Sequence, residues 1–429
     1  MAAGIDDIAI YIPQLYVEAS DFAKARGLDP EKLERGLGIG QMAIVDTNQD
    51  PACLAANACL NVMQKTKLSP DEIGRLYVAT ESSLDESKAM NSDVIGMLEQ
   101  VYGEGTFGHC GGIECKFACV SGSYALYDNT NWIRAGEAEG KHALVVVSDI
   151  AKYDLGSSGE VTQGAGAIAM LLNDNPRLLA FDPKVTSTSI KNEYDFYRPF
   201  GKETPIVHGQ YSNLLYLIQV KNTLIEYKRK IINTGLIKLK EGETILDHVD
   251  YLNMHLPYSN MGKKALAYLV RHEWRDLPRW KKIIEKIGMN EPTPKDPRGT
   301  IESVLADAEF MAKDHQFTKL FTKIYTSMTI IVMFLFLLAF NRIAYAGELL
   351  VYSSTDADNL KYYMDEFQKA NPDIKINVVR ESTGTMAAKL LAEKDNPQAD
   401  FLFEMAATVA LKMEAEGMFV EYTPAGMDA

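Results

Sequence analysis

In the stretch ECKFACVSGSYALYD, Cys119 is followed by Ser121, Gly122, Ser123 and Ala125, small residues that would let a helix begin directly behind the sulfur in a crowded interior. A thiol at a helix N-terminus feels the positive end of the macrodipole and nearby backbone N–H groups, and both favour thiolate. A nucleophile is the chemistry this predicts, although an inert buried cysteine satisfies the same pattern. Glu81, in RLYVATESSLDES, stands just past an apolar run, where partial desolvation raises a carboxyl toward a pKa useful for moving protons. A helix cap or a surface acid would occupy the same place. His255, in YLNMHLPYSNMGKKAL, precedes a proline turn and a helical pattern that carries Lys263 and Lys264. An imidazole there can donate to a carbonyl oxygen or relay a proton, and the lysines could meet phosphate groups. A satisfied core histidine fits equally well.

These side chains need a scaffold, and the hydrophobic pattern supplies one. Ile5 to Ile12, Leu76 to Ala79, Ala143 to Ser148 and Ala165 to Leu172 read as strands separated by helical patterns, which indicates an α/β sheet covered on both faces. His248 to His255 reads as a further strand that ends on the histidine. Met261 to Val270 reads as a helix with Met261, Ala265, Tyr268 and Leu269 on one face.

A chain of 429 residues exceeds the size at which one core keeps growing, so two or more folding units are expected. Its net charge of −14 argues against nonspecific nucleic-acid binding and leaves any anionic ligand to local basic groups. The five cysteines, Cys53, Cys59, Cys110, Cys115 and Cys119, are odd in number, which suggests free thiols in a reducing compartment. Their spacing lacks the paired form of a metal site, so no metal is expected. The cluster Lys228-Arg229-Lys230 reads as a solvated helix face.

The texture changes at SMTIIVMFLFLLAFNRIAYAG. Lys323 gives a positive flank, Thr329 to Phe340 carries no charge, and Ala344-Tyr345-Ala346 is a small-x-small cleavage pattern, together the parts of a secretory signal. The uncharged run falls short of the about 20 residues a bilayer span needs, yet 328–346 could still enter a membrane. Beyond it, Glu348 to Ser354, Asp356 to Ala370 and Ile374 to Arg380 read as a β-α-β unit, followed by a turn and helix that lead into Asp400 to Phe403.

Taken together and in order, TESSLDES, ECKFACVSGSYAL and HLPYSNMGKKAL resemble the three active-site segments of hydroxymethylglutaryl-CoA synthase. VVVSDIAKYDLGSSGEVTQGAGAIAML is similar to that family's glycine-rich core segment, and EYDFYRP to its substrate-contact segment; the likeness runs from about Gly4 to about Phe321. The resemblance implies a thiolase-like fold of duplicated α/β layers in a cytoplasmic homodimer. It implies that Cys119 takes the acetyl group of acetyl-CoA and that Glu81 removes a methyl proton from the acetyl thioester. His255 would orient and polarise acetoacetyl-CoA, and water would release 3-hydroxy-3-methylglutaryl-CoA. Asp195 matches a pocket aspartate and Lys264 a lysine near the CoA phosphates. No cofactor is implied beyond the CoA thioester substrates.

There are departures. Ser259-Asn260 stands where relatives commonly carry a lysine, and His208 replaces a frequent aspartate. After EFMAKDHQFTKLF the last strands of the second half are missing, so weak or absent turnover is expected. The tail resembles the first lobe of a periplasmic solute-binding protein of an ABC importer, of the iron or phosphonate kind, with Ser354, Thr383 and Thr385 as oxyanion-binding candidates. The expected organisation is therefore a nucleophile-bearing half over 1–175, an incomplete second half over 176–322, a signal-like segment over 323–346 and a partial α/β binding lobe over 347–429, as a fused or mis-assembled reading frame would produce. Two other function classes fit parts of the sequence. One is an exported or membrane-tethered solute-binding fragment with an inert passenger. The other is a ketoacyl synthase III-like acyltransferase, against which Glu81 and HLPYSNMGKKAL argue.

Overall fold

The computed structural model describes residues 2–182, 184–249, 252–322, 347–353, 360, 364–365, 374–393, 399 and 401–403. The chain divides into two compact units, Met1–Thr318 and Lys319–Ala429. The signal-like segment 323–346 lies outside the described residues, and among those described no helix is long and apolar enough to cross a membrane.

The first unit is organised by a mixed sheet. Its main strands are β1 (Gly4–Tyr11), β4 (Ile73–Ala79), β6 (His142–Ala151) and β7 (Gly164–Asn173), with the short β5 (Glu114–Cys115) and β8 (Leu179–Ala180) at its edges. A small ribbon of β2 (Leu15–Glu18) and β3 (Gln41–Ile44) stands apart. The sheet order is β5-β4-β6-β7-β1-β8; β4 runs parallel to both β5 and β6, while β7 is antiparallel to β6 and β1. The four expected strands are all present, each within a few residues of its expected ends.

Alternation along the strands divides the core. Leu76, Val78, Leu144 and Val146 join α2 (Pro51–Thr66) and α3 (Met90–Tyr102) on one face, whereas Tyr77, Ala79, Ala143 and Val145 join α4 (Ser121–Arg134) on the other. The period of two thus buries central strands on both sides. The small residues behind Cys119 are required by this packing: a Cβ on Gly122 would stand 2.8 Å from Val147 Cγ2. The helix carrying the cysteine segment therefore presses directly on β6. Away from α4, Ile8, Ile10, Ile12 and Ile168 are exposed.

The rest of this unit is built differently. Beyond the two-stranded ribbon of β9 (Phe196–Tyr197) and β10 (Ile206–Val207), it is helical: α5 (Gly209–Asn233), α6 (Met261–Trp274), α7 (Pro278–Ile287), α8 (Ile301–Ala306) and a helix from 308 onward. The described residues of the expected strand His248 to His255 form no strand. Residues Ile245–His248 make a 3-10 turn and 252–256 are irregular. The physical reason is the lack of a pairing neighbour among the described residues, since an isolated strand leaves its backbone donors and acceptors unpaired. The helix after it forms as expected, with Met261, Ala265 and Leu269 buried.

In the second unit, β11 (Gly347–Ser353) pairs in parallel with both β12 (Ile374–Arg380) and β13 (Phe401–Phe403), and the helix Thr383–Ala392 packs Met386 and Leu390 on Tyr352. The expected strands and last helix of the tail are therefore present. Most of the expected helix Asp356 to Ala370 lies outside the described residues.

Candidate active site

Strand β4 delivers Glu81. The segment that leaves it is gripped by Asp149 of the neighbouring β6, whose Oδ1 accepts from Thr80 Oγ1 at 2.9 Å, from the Glu81 backbone N–H at 2.8 Å and from Ser82 Oγ at 3.1 Å. Ile150 N–H in turn donates to Ser82 Oγ at 3.1 Å. Two neighbouring parallel strands thus fix the Glu81 backbone, and a second carboxylate lies close to the first.

Cys119 arrives from the other side of β4. After β5 the chain makes a tight turn in which Ala118 adopts a left-handed backbone at φ 43°, a conformation that costs a residue with a Cβ about 1 kcal/mol or more. Ser121 repays part of that cost by donating from Oγ to the Ala118 carbonyl at 2.8 Å. The turn leaves Cys119 exposed, with its thiol donating to Glu81 Oε2 at 3.9 Å.

The electrostatics of this pair correct one expectation. Cys119 stands one residue before Val120, the N-cap of α4, yet its thiol is pushed up to about 12, by crowding first and then by the Glu81 and Asp149 carboxylates. Because the residue is exposed, the carboxylates are the cause that the 3.9 Å approach supports best. Like-charge repulsion exceeds the pull of the helix terminus, so the resting nucleophile is a thiol and not a thiolate. Glu81 behaves as expected of a partly desolvated acid: burial, and then Asp149, raise it to about 7. Arg198 opposes that rise.

Three residues near the pair were not singled out from the sequence as members of the site. Asp149 and Tyr153 lie in VVVSDIAKYDLG, and Arg198 follows β9 in EYDFYRP. Tyr153 is pushed up to about 12, by burial first and then by Glu81 and Cys119. The available signal was an ionisable residue at the end of a strand adjacent to the one that carries Glu81. Strand order, which makes β6 adjacent, is not visible in the sequence.

The other candidates are distributed more widely. Asp195 is half-buried, and its carbonyl accepts from His208 N–H at 2.8 Å across the β9–β10 ribbon. Lys264, on α6, donates to the Tyr258 hydroxyl at 3.0 Å and lies over that ring. His255 stands in the irregular run before α6; its carbonyl accepts from Tyr216 on α5 at 2.8 Å, and the two rings meet edge to face at 6.2 Å. The residue is exposed, and partial desolvation of the ring lowers its pKa. The structure joins Glu81 to Cys119 directly; among the described residues no hydrogen bond or ion pair links His255 to either. Asn260 donates to the Arg35 and Gly36 carbonyls at 2.9 and 3.2 Å. In the tail, Ser354 and the side chain of Thr383 lie outside the described residues, and the Thr385 hydroxyl pairs with Ser382 Oγ at 2.8 Å in the helix's own cap.

Comparison with known proteins bears on the family. Residues 1–176 match the family model for the hydroxymethylglutaryl-coenzyme A synthase N terminal region, and residues 179–332 match that for the C terminal region. The second match runs into the apolar stretch read above as part of a signal. A hydroxymethylglutaryl-CoA synthase from Haloferax volcanii is 36% identical over 296 residues, 69% of this chain and 63% of that protein. One from Enterococcus faecalis is 39% identical over 269 residues, 62% of this chain and 64% of that protein. The chain thus spans less than two thirds of the length of these curated relatives. Among solved structures, MvaS in complex with 3-hydroxy-3-methylglutaryl coenzyme A superposes with a TM-score of 0.60 at 32% identity, over 72% of this chain and 69% of that one. An HMG-CoA synthase complexed with CoA gives 0.56 at 30% identity, over 67% and 69%. With the thiolase-like mixed sheet and the paired Glu81 and Cys119 in place, the chain belongs to the hydroxymethylglutaryl-CoA synthase family.

Proposed function

We propose that the chain transfers an acetyl group from acetyl-CoA to Cys119 and condenses it with acetoacetyl-CoA to give 3-hydroxy-3-methylglutaryl-CoA. The observation that carries this reading is the 3.9 Å approach of Glu81 Oε2 to Cys119 Sγ. As the sulfur attacks the thioester carbonyl, a new S–C bond forms, the bond to the CoA sulfur breaks, and the thiol proton passes through Glu81 to the departing CoA thiolate. A carboxyl poised at about 7 suits both directions of that transfer. With the sulfur acylated, the Glu81 carboxylate takes a proton from the acetyl methyl group. The resulting carbanion attacks the acetoacetyl ketone, and the His255 imidazole donates to the carbonyl oxygen. Water then cleaves the thioester and restores the thiol.

Asp195 and Lys264 are read as substrate-binding residues, Lys264 toward the CoA phosphates. The exposed Ile8, Ile10, Ile12 and Ile168 accord with a second half smaller than that of the relatives, so turnover below the ordinary range of about 1 to 1000 per second is expected. A homodimer is the expected assembly. The parallel order of β11, β12 and β13 supports reading the tail as a partial solute-binding lobe of the iron or phosphonate kind, joined through a signal-like segment able to enter a membrane.

The test is a single-turnover assay of the full chain, in which acetyl-CoA is added first, acetoacetyl-CoA second, and product is identified by mass spectrometry. Product at the level of one per active site, absent in Cys119→Ser, is the expected result. The absence of any Cys119-dependent product would overturn the reading.

A further inference from the structure

Strand β4 lies between β5 and β6, and each neighbour turns one carboxylate toward the segment that carries Glu81. The grip of Asp149 has been described. On the opposite side, Glu114 Oε1 accepts from Ser83 Oγ, and its Oε2 accepts from the Met90 backbone N–H at 2.8 Å. Met90 is the first residue of α3, whose N-cap, Ala89, provides no side-chain acceptor, so Glu114 satisfies one of the donors a helix start leaves unpaired. Glu114 is also in register with Val78, and Thr80 N–H donates to the Cys115 carbonyl at 3.2 Å. Glu114 therefore stands on the strand that leads to Cys119 while it holds the chain two residues beyond Glu81.

Resting on the functional reading above, we propose that Glu114 is a positioning residue: it ties the Glu81 segment to the Cys119 segment through Ser83 and so sets the approach of carboxyl to thiol. The side chains between Ser83 and α3 do not duplicate this tie. Among the described residues Asp85 accepts from the Ser87 and Lys88 backbone N–H groups within its own turn, each at 2.7 Å. Without Glu114, Ser82 and Asp149 would still hold one side of the segment, but the side facing Cys119 would be released.

A helix cap with no part in the site would use the same Met90 bond, so the test separates the two bonds. The full chain is treated with iodoacetamide across a pH series, and carboxamidomethylation is read at the Cys119 peptide by mass spectrometry. The pH midpoint reports how strongly charge bears on that thiol; Glu81, Asp149, Tyr153 and Arg198 are the ionisable groups around it. Glu81→Gln is expected to lower the midpoint by about one pH unit. Ser83→Ala and Glu114→Gln are expected to move it in the same direction by at least half as much, and Glu114→Gln is expected to add nothing in the Glu81→Gln background. A wild-type midpoint in both Ser83→Ala and Glu114→Gln would overturn the proposal, and so would a shift confined to Glu114→Gln, which would mark a helix cap only. Should Glu114→Gln fail to fold, Ser83→Ala alone decides, because it leaves the Met90 bond intact. The Glu81→Gln arm reports separately on the pair: no shift there would remove the coupling itself and the proposal with it. Loss of product in the single-turnover assay with these shifts intact would overturn only the functional reading.

Discussion

Glu81 and Cys119 are 38 residues apart in the chain and 3.9 Å apart in the fold; the carboxylate raises the cost of ionising the thiol, whereas the thiol's hydrogen bond favours the carboxylate. Burial and Asp149 bring the carboxyl to about 7, and burial followed by the two carboxylates brings the thiol to about 12, so near neutrality the thiol keeps its proton beside a carboxyl poised to take it as the new bond forms. A thiol of this kind resists adventitious alkylation and needs its neighbour to react.

The raised carboxyl has a cost in stability. Its folded pKa of about 7 lies above the usual 4.5, so the folded state binds the proton more tightly than the unfolded state, and stability is lost as pH rises from 4.5 through about 7. At 1.36 kcal/mol per pKa unit the loss approaches about 3 kcal/mol. Glu81→Gln is therefore expected to be the more stable protein at pH 8 and to match the wild type near pH 4.5, as read by urea unfolding at both values. A variant less stable than wild type at pH 8 would contradict the burial argument.

Asp149 bears on both groups. Asp149→Asn keeps a carbonyl oxygen toward Thr80, Glu81 and Ser82 but removes the charge, so Glu81 and Cys119 should both titrate lower. Nuclear magnetic resonance of the Glu81 side-chain carboxyl and the pH profile of Cys119 alkylation read the two shifts. Unchanged values for both would assign the shifts to crowding alone.

His255 is expected to separate the two chemical steps. His255→Ala should leave acetyl transfer to Cys119 within a few-fold of wild type and reduce condensation by about 100-fold or more. Equal loss of both steps would place the imidazole in the first step.

Arg271 anchors the helix that follows His255. Its guanidinium is buried, donates to Glu291 Oε1 at 2.9 Å, Asp314 Oδ1 at 2.8 Å and Thr318 Oγ1 at 2.9 Å, and lies over the Phe317 ring. Removing one member of a buried ionic group leaves the others uncompensated, so Arg271→Ala should cost about 3 kcal/mol in chemical denaturation. A loss below about 1 kcal/mol would show that Arg275, which also pairs with Glu291 at 2.6 Å, carries the charge by itself.

What the sequence made legible follows from how local each signal is. The apolar alternation at β4 and β6, the acid just past β4 and the small residues behind Cys119 are local, and each is found where it was expected. The consequences of pairing were less visible. Asp149 and Glu114 act on Glu81 and its segment because β5 and β6 flank β4, and Arg198, just past β9, because its charge reaches the carboxyl; none of these adjacencies is written in the spacing. The thiolate expectation failed for the same reason, since the helix start is local and the two carboxylates that outweigh it are not. At His255 the apolar pattern promised a strand, but a strand needs a partner and none of the described residues provides one. The reading of the tail as a solute-binding lobe rests on sequence alone; the structure adds a parallel β12-β11-β13 sheet.

The most direct measurement is the rate of acetylation of Cys119 by acetyl-CoA as a function of pH, followed by peptide mass spectrometry in the wild type and in Glu81→Gln. The account predicts label on Cys119, a wild-type rate that falls as pH drops through about 7, and a Glu81→Gln rate that is at least about 100-fold slower near neutrality and lacks that inflection. Label that is absent from Cys119, or that forms in Glu81→Gln with the wild-type rate and pH profile, would contradict it.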